Sequence, residues 1–181
     1  MKEIDFNYDY LRAAVIHAAK QDVRFYLCGV YLGDGYMAAT DGHKLIIIND
    51  ECFAGCDYIL PRDSVDYFIK KNGSKAYGQP VRLTIMDNGF NLMELNGNYE
   101  YFKFIEGKFP DISRVDVPKP DKPEGHPMFN IEYLAEFLKS YRILIGNKAA
   151  TGLNILTRGD NLSAYIELGE NSHGILMPMR A

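Results

Sequence analysis

The sequence predicts a mixed α+β fold in which one unit, a short strand followed by a helix and three strands, recurs three times. Three observations carry this reading. Apolar residues fall at helical spacing in three separate stretches. Each stretch is followed by runs rich in Val, Ile, Leu, Phe and Tyr, broken by Gly, Asn and Asp at turn positions. A proline-rich stretch, Pro110 to Pro127, separates the second unit from the third.

Unit one opens with a strand over Glu3 to Phe6 and continues into a helix over Tyr8 to Ala19. Asn7 is its expected cap, because a short side-chain oxygen can accept an otherwise unpaired helix N–H. Leu11, Ala14, Val15, Ala18 and Ala19 form the apolar stripe. Strands are expected over Arg24 to Leu32, Tyr36 to Thr40 and Lys44 to Ile48, with turns at Gly33-Asp34-Gly35 and Asp41-Gly42. Unit two opens at Asp57 to Leu60, with Pro61 at the first helical position. Val65, Phe68 and Ile69 face the core, and Asn72-Gly73 stops the helix. Its strands are expected over Val81 to Met86, Phe90 to Leu95 and Tyr99 to Ile105. Unit three opens at Pro127-Met128-Phe129, with Asn130 as cap and a helix over Ile131 to Tyr141. Strands follow over Leu153 to Thr157, Leu162 to Leu168 and Gly174 to Met179. The expected organisation is a paired module over 1–116, a linker over 117–126 and a single unit over 127–181.

Composition narrows the function classes. The chain has 181 residues, of which 47% are hydrophobic and 24% charged, as in ordinary globular proteins. Disorder along the whole chain is excluded. The net charge of −4 excludes a globally basic nucleic-acid binder, though not a local basic face. No run of 18 apolar residues occurs, and the charged N-terminus lacks the apolar core of a signal peptide. Cys28, Cys52 and Cys56 are too few and too irregular for a disulfide framework or a metal site. A reducing, cytoplasmic setting with no cofactor, no metal and no membrane partner is expected. His43 follows Asp41-Gly42, yet the flanking strands make this a hairpin turn. No nucleophile motif, phosphate-binding loop or paired histidines accompany it, nor His17, His126 and His173. A non-enzyme is expected.

Three segments resemble one known family. They are Gln21-Asp22-Val23-Arg24-Phe25-Tyr26-Leu27 with Ala39-Thr40-Asp41-Gly42-His43-Lys44-Leu45, then Gly107-Lys108-Phe109-Pro110-Asp111-Ile112-Ser113-Arg114-Val115, then Met177-Pro178-Met179-Arg180 at the C-terminus. In this order and spacing they resemble the bacterial sliding clamp, the β subunit of DNA polymerase III. The resemblance implies a DNA-clamp fold, in which each domain is a pair of such half-units with helices lining an inner face. Residues 1 to about 116 resemble the middle domain of that family. Residues from about 125 onward resemble the second half of its last domain. The whole is similar to a shortened form.

The resemblance also implies a groove that holds short peptides of polymerases and repair proteins. The matching positions are Leu27, Thr40, Gly42, His43, Lys44 and Leu45, then Pro110, Arg114 and Val115. From the last unit they are Asn130, Tyr133, Ile175, Leu176, Met177, Pro178, Met179 and Arg180. These residue types suit the role: an adaptable apolar floor with hydrogen-bonding groups at the rim. Contact with double-stranded DNA is implied at Lys20, Gln21, Arg24, Phe25, Tyr26, Arg62, Lys70 and Lys71, through phosphates and without reading sequence. Residues 8–20, 61–75 and 130–142, which span the expected helices and their ends, together carry three more cations than anions, against −7 on the rest of the chain. Asp63 departs from the family, which often has a basic residue there. A homo-oligomer is expected, because unit three lacks a paired half-unit of its own and an uncovered apolar face favours self-association. The competing expectation is a peptide-binding mimic that does not encircle DNA, as a phage or mobile-element regulator would be.

Overall fold

The structure, a computed structural model, describes residues 1–179. Unit one comprises β1 (Lys2–Asn7), α1 (Tyr8–Ala14), β2 (Gly29–Gly33), β3 (Tyr36–Thr40) and β4 (Lys44–Asn49). Unit two comprises β5 (Asp57–Pro61), α2 (Arg62–Asn72), β6 (Pro80–Ile85), β7 (Asn91–Leu95) and β8 (Asn98–Phe102). Unit three comprises α3 (Ile131–Leu144), β9 (Asn154–Leu156), β10 (Ala164–Glu167) and β11 (Ser172–Leu176). Mixed helix and sheet is therefore observed, as expected.

Two sheets form, and neither follows chain order. The four-stranded sheet runs β1-β6-β7-β8, and the seven-stranded sheet runs β5-β2-β3-β4-β11-β10-β9. Units one and two thus exchange their opening strands: β1 completes the sheet of unit two, and β5 completes that of unit one. Unit three joins through its last strand. β11 pairs antiparallel with β4, placing Leu45 opposite Ile175 and Ile46 opposite Gly174.

The helices pack on one face of the sheets around a core that includes Tyr8, Leu11, Phe53, Phe68 and Phe137, all fully buried. The other face of the seven-stranded sheet is also covered. Tyr31, Leu45, Ile47, Ile59 and Ile175 pack there beneath Phe109 and Ile112 of the segment that follows β8. Tyr31 and Phe109 stack with ring centroids 4.7 Å apart. Burial on both faces explains why Leu45-Ile46-Ile47-Ile48 is a continuous apolar run rather than an alternating one. Asp116 meets His173 at 2.8 Å, and Lys119 pairs with Glu167, so the segment after Val115 lies against the strands of unit three.

Several local expectations are corrected. The helix of unit one ends at Ala14 and tightens to a 3₁₀ turn over Val15–His17. Arg62 Nη1 donates to the carbonyls of Val15 and Ala18, which caps the shortened end. Arg24 to Leu32 is not one strand. Asp22 Oδ1 accepts from the Arg24 backbone N–H, and a 3₁₀ turn over Phe25–Leu27 precedes β2. The side-chain hydrogen bond offers this segment an alternative to the sheet despite its aromatic residues. Pro61 is the cap of α2, in an extended conformation, rather than its first helical residue. Residues 127–129 form no strand; the Met128 carbonyl instead accepts from the Met179 N–H. Asn7 and Asn130 cap α1 and α3 as expected, each side chain accepting from the N–H two residues on.

Unit three, which lacks a paired half-unit of its own, docks within the chain on unit one. α3 packs on α1, and β11 extends the sheet of unit one. α3 makes close contacts with both neighbours, α1 and β11. Ser140 Oγ donates to the Ala13 carbonyl at 3.1 Å. The Phe137 ring lies over Gly174, where an added Cβ would come within 2.2 Å of it.

Candidate functional site

Two of the depressions on the seam between units one and three adjoin each other. The first has a volume of about 220 Å³. Leu27, Leu45, Ile112, Val115, Ile175 and Met177 supply its apolar lining, and Arg24, Tyr26, Thr40, Gly42, His43, Lys44 and Pro110 complete it. The second, of about 530 Å³, is lined by Gly42, His43, Asn130, Tyr133, Met177, Pro178 and Met179. Gly42, His43 and Met177 belong to both, so the two form one continuous groove.

Local chemistry fixes the central hairpin. Asp41 Oδ1 accepts from the N–H groups of His43 and Lys44, and Thr40 Oγ1 accepts from the Gly42 N–H. Gly42 has φ +94°, and an added Cβ would meet the Arg24 guanidinium at 3.0 Å. A side chain there would therefore be strained and would crowd the groove. The Met177 N–H donates to the His43 carbonyl, which ties the C-terminal segment to this hairpin. The rings of His43 and Tyr133 stack across the seam at 6.0 Å.

Lys44 links the units beneath the groove. Its side chain is only 3% exposed, and its ammonium meets Asp41 Oδ2 at 2.6 Å and Glu136 Oε2 at 3.1 Å. It also lies 5.1 Å from the centre of the Tyr133 ring. A cation so placed is tolerated because two carboxylates and an aromatic face replace its water. His17 is buried on the same seam. Ser140 Oγ donates to the Ala13 carbonyl, so it accepts from His17 Nε2 at 2.9 Å. Burial, and after it the charge of Lys44, hold this imidazole well below its usual pKa.

No protein-family model matches the chain. Over 113 residues it is 31% identical to the beta sliding clamp of Salmonella typhimurium, covering 58% of this chain and 30% of that protein. Over 120 residues it is 30% identical to the beta sliding clamp of Escherichia coli K12, covering 62% and 32%. The matched stretch is thus less than a third of the length of these relatives. The similarity in structure is broader. The DNA polymerase sliding clamp of Bacillus subtilis superposes with a TM-score of 0.76 at 14% identity, covering 99% of this chain and 64% of that one. The DNA polymerase III subunit beta of Pseudomonas aeruginosa gives 0.74 at 17% identity, covering 100% and 66%. The fold is that of the bacterial sliding clamps. The chain is similar to a shortened clamp, as its sequence led one to expect.

Most positions that the resemblance marked for the clamp groove converge on this seam. Leu27, Thr40, Gly42, His43, Lys44, Leu45, Pro110, Val115, Asn130, Tyr133, Ile175, Met177, Pro178 and Met179 all line it. Leu176 does not. It is fully buried in the helix-side core, because successive residues of β11 face opposite sides of the sheet and Ile175 takes the groove side. Arg114 also lies off the groove. Its side chain is 83% exposed and pairs with Asp111 at 3.4 Å within one 3₁₀ turn. Arg180 lies outside the described residues. Ile112 was missed, although it sits inside a quoted motif. Its place between Pro110 and Val115, on a turn whose buried face meets the sheet, is the signal that would have found it.

The residues assigned to DNA are not equivalent in this clamp fold. Lys20, Gln21, Phe25, Lys70 and Lys71 are exposed. Arg62 is corrected: its guanidinium is 13% exposed and spent on the Val15 and Ala18 carbonyls and on Asp66 at 3.2 Å. Arg24 is held by Asp22 through two bonds, at 3.0 and 2.8 Å, and with Tyr26 it lines the groove. Arg24 in turn lowers the Asp22 carboxyl to a pKa of about 2. Lys71 donates to the Tyr99 carbonyl. No helix among the described residues is long and apolar enough to cross a membrane.

Proposed function

We propose that this chain is a replication accessory of the sliding-clamp type that holds short peptides of polymerases or repair proteins in the seam groove. The observation that supports it most is the groove's assembly. Four segments far apart in sequence, around Leu27–Leu45, Pro110–Val115, Asn130–Tyr133 and Ile175–Met179, converge on one depression with an apolar floor. Leu, Val, Ile and Met offer a surface that repacks around a Leu or Phe anchor. Asn130 and His43 at the rim can hydrogen-bond a peptide amide. The test is a titration of a fluorescent peptide carrying such anchors. Changing Met177 and Met179 together to Ala is expected to weaken binding about tenfold, from lost apolar area of roughly 1–2 kcal/mol, with the melting temperature unchanged. Equal affinity in the variant overturns the assignment.

The same proposal includes tethering those partners to double-stranded DNA as a homo-oligomer. A second reading, peptide capture without encircling DNA, is favoured by one observation. Arg24 and Arg62, two of the cations assigned to DNA, are neutralised or spent within the chain. Retention on circular DNA, measured alongside peptide binding and the mass in solution, separates the two. Retention favours the clamp, and peptide binding by a monomer without retention favours capture.

A further inference from the structure

Another depression lies away from the groove, where all three units meet. It has a volume of about 310 Å³, and its lining includes Arg12 of α1, Ser74 and Tyr77 after α2, and Arg142, Gly146 and Lys148 at the end of α3. Three cationic and two hydroxyl-bearing residues line one small space, and no carboxylate residue lines it. Such a set, rich in donors and carrying no anionic acceptor, matches an anion with several oxygens.

Both guanidinium groups are pinned but incompletely used. Arg12 Nη1 is held at 2.7 Å by Asp9 Oδ1, and Asp9 is itself buried, with its second oxygen accepting from the Gly78 N–H at 2.8 Å. Arg142 Nε donates to the Ala150 carbonyl at 2.6 Å. Among the described residues, Nε and Nη2 of Arg12 and both terminal nitrogens of Arg142 make no hydrogen bond, and Lys148 makes no ion pair. A guanidinium fixed at one nitrogen loses less freedom when the others take a ligand. The pocket wall is equally constrained. Gly146 has φ +68°, and a Cβ there would lie 2.0 Å from the Tyr77 hydroxyl oxygen. A side chain there would displace the Tyr77 ring from its present position.

From this geometry we propose that the junction of the three units is a phosphate-binding site, with Arg142 and Lys148 as its principal ligands and Arg12, Ser74 and Tyr77 completing it. A planar guanidinium and a mobile ammonium together satisfy the oxygens of a phosphate ester. The site is independent of the peptide groove, and none of its residues lines that groove.

The probe is inorganic phosphate, titrated by calorimetry at constant ionic strength with chloride as the balancing ion. The intact chain is expected to bind phosphate. Arg142→Gln and Lys148→Gln are each expected to weaken it about tenfold, the scale of one charged hydrogen bond. Lys148 is exposed and makes no ion pair among the described residues, so its variant keeps the fold even if loss of the Arg142–Ala150 bond disturbs the other. Two further arms identify the source of the phosphate. If it is a DNA backbone, both variants bind a short duplex more weakly, with a salt dependence shallower by about one ion. If it is a free phosphate ester, duplex binding is unchanged while the response to phosphate is lost. No heat with phosphate, or equal affinity in the intact chain and in a folded Lys148→Gln variant, overturns the proposal. Peptide affinity measured on the same samples stays constant, so failure here is distinct from failure of the groove.

Discussion

The junction between units one and two and the seam between units one and three are built on different principles. Units one and two are interlocked, because each donates its opening strand to the other's sheet. Neither can leave without breaking two strand pairings and opening a core of Phe6, Phe53 and Phe68. Unit three donates no opening strand. It is held by one strand pairing, β4 with β11, by contacts of α3 that include polar groups, His17 with Ser140 and Lys44 with Glu136, and by the segment from Phe109 to Lys119, which reaches Ile175, His173 and Glu167. The difference teaches where the groove belongs. An interlocked junction has little room for a cleft, whereas a seam closed along a single strand pair leaves its ends and margins open. The candidate site occupies that margin, and it is tied to the less redundant of the two interfaces.

The comparison is most directly broken at Phe137, which is fully buried between His17 and Gly174. Phe137→Ala is expected to cost about 3–5 kcal/mol by denaturant unfolding. Hydrogen exchange should show the loss first in β9 to β11, with β6 to β8 still protected. Simultaneous loss in both sheets would mean that the two interfaces are equally strong. Lys44→Met tests the polar part of the seam. It leaves Asp41 and Glu136 facing each other without their cation. A destabilisation of about 2 kcal/mol is expected, below the value for a fully buried pair because water reaches both carboxylates. An unchanged unfolding midpoint would show that the ion cluster does not hold the seam.

The smallest expected effect sharpens the comparison by pH. His17 has a folded-state pKa far below its usual value of 6.5. Below about pH 6.5 the unfolded chain takes up a proton that the folded chain refuses. Stability from this group is therefore complete above pH 6.5 and falls by about 1.4 kcal/mol per pH unit below it, down to the depressed pKa. His17→Gln should flatten this part of the stability profile. An acid limb of equal slope in the variant would assign the effect to other groups.

Much of the fold was legible because it rests on local rules. Asn7 and Asn130 cap their helices, and Asp34-Gly35 turns its hairpin with positive φ, which Asp tolerates and Gly adopts freely. Failures fall where local preference competes with a distant partner. Phe25 and Tyr26 have strand propensity, yet Asp22 bends the chain there. Pro127 to Phe129 reads like the opening strands of the other two units but forms none. A strand is stable only against a partner, and β1 and β5 find theirs in the neighbouring unit. Within the groove, Ile175 and Leu176 are chemically alike and adjacent, and only the register of β11 against β4 sends one to the groove and the other to the core.

By itself the sequence determined the alternation of helices and hairpins, the three units, the clamp-like segments and most of the residues of the groove. Periodicity, caps and turns act over a few residues and are written locally. Only the tertiary structure decided which strands meet: the exchange between units one and two, the docking of unit three on unit one, and the convergence of Arg12, Ser74, Tyr77, Arg142 and Lys148 on a second pocket. Those contacts join residues far apart in the chain. Their free energy comes from burial and pairing that exist only once the whole chain has folded.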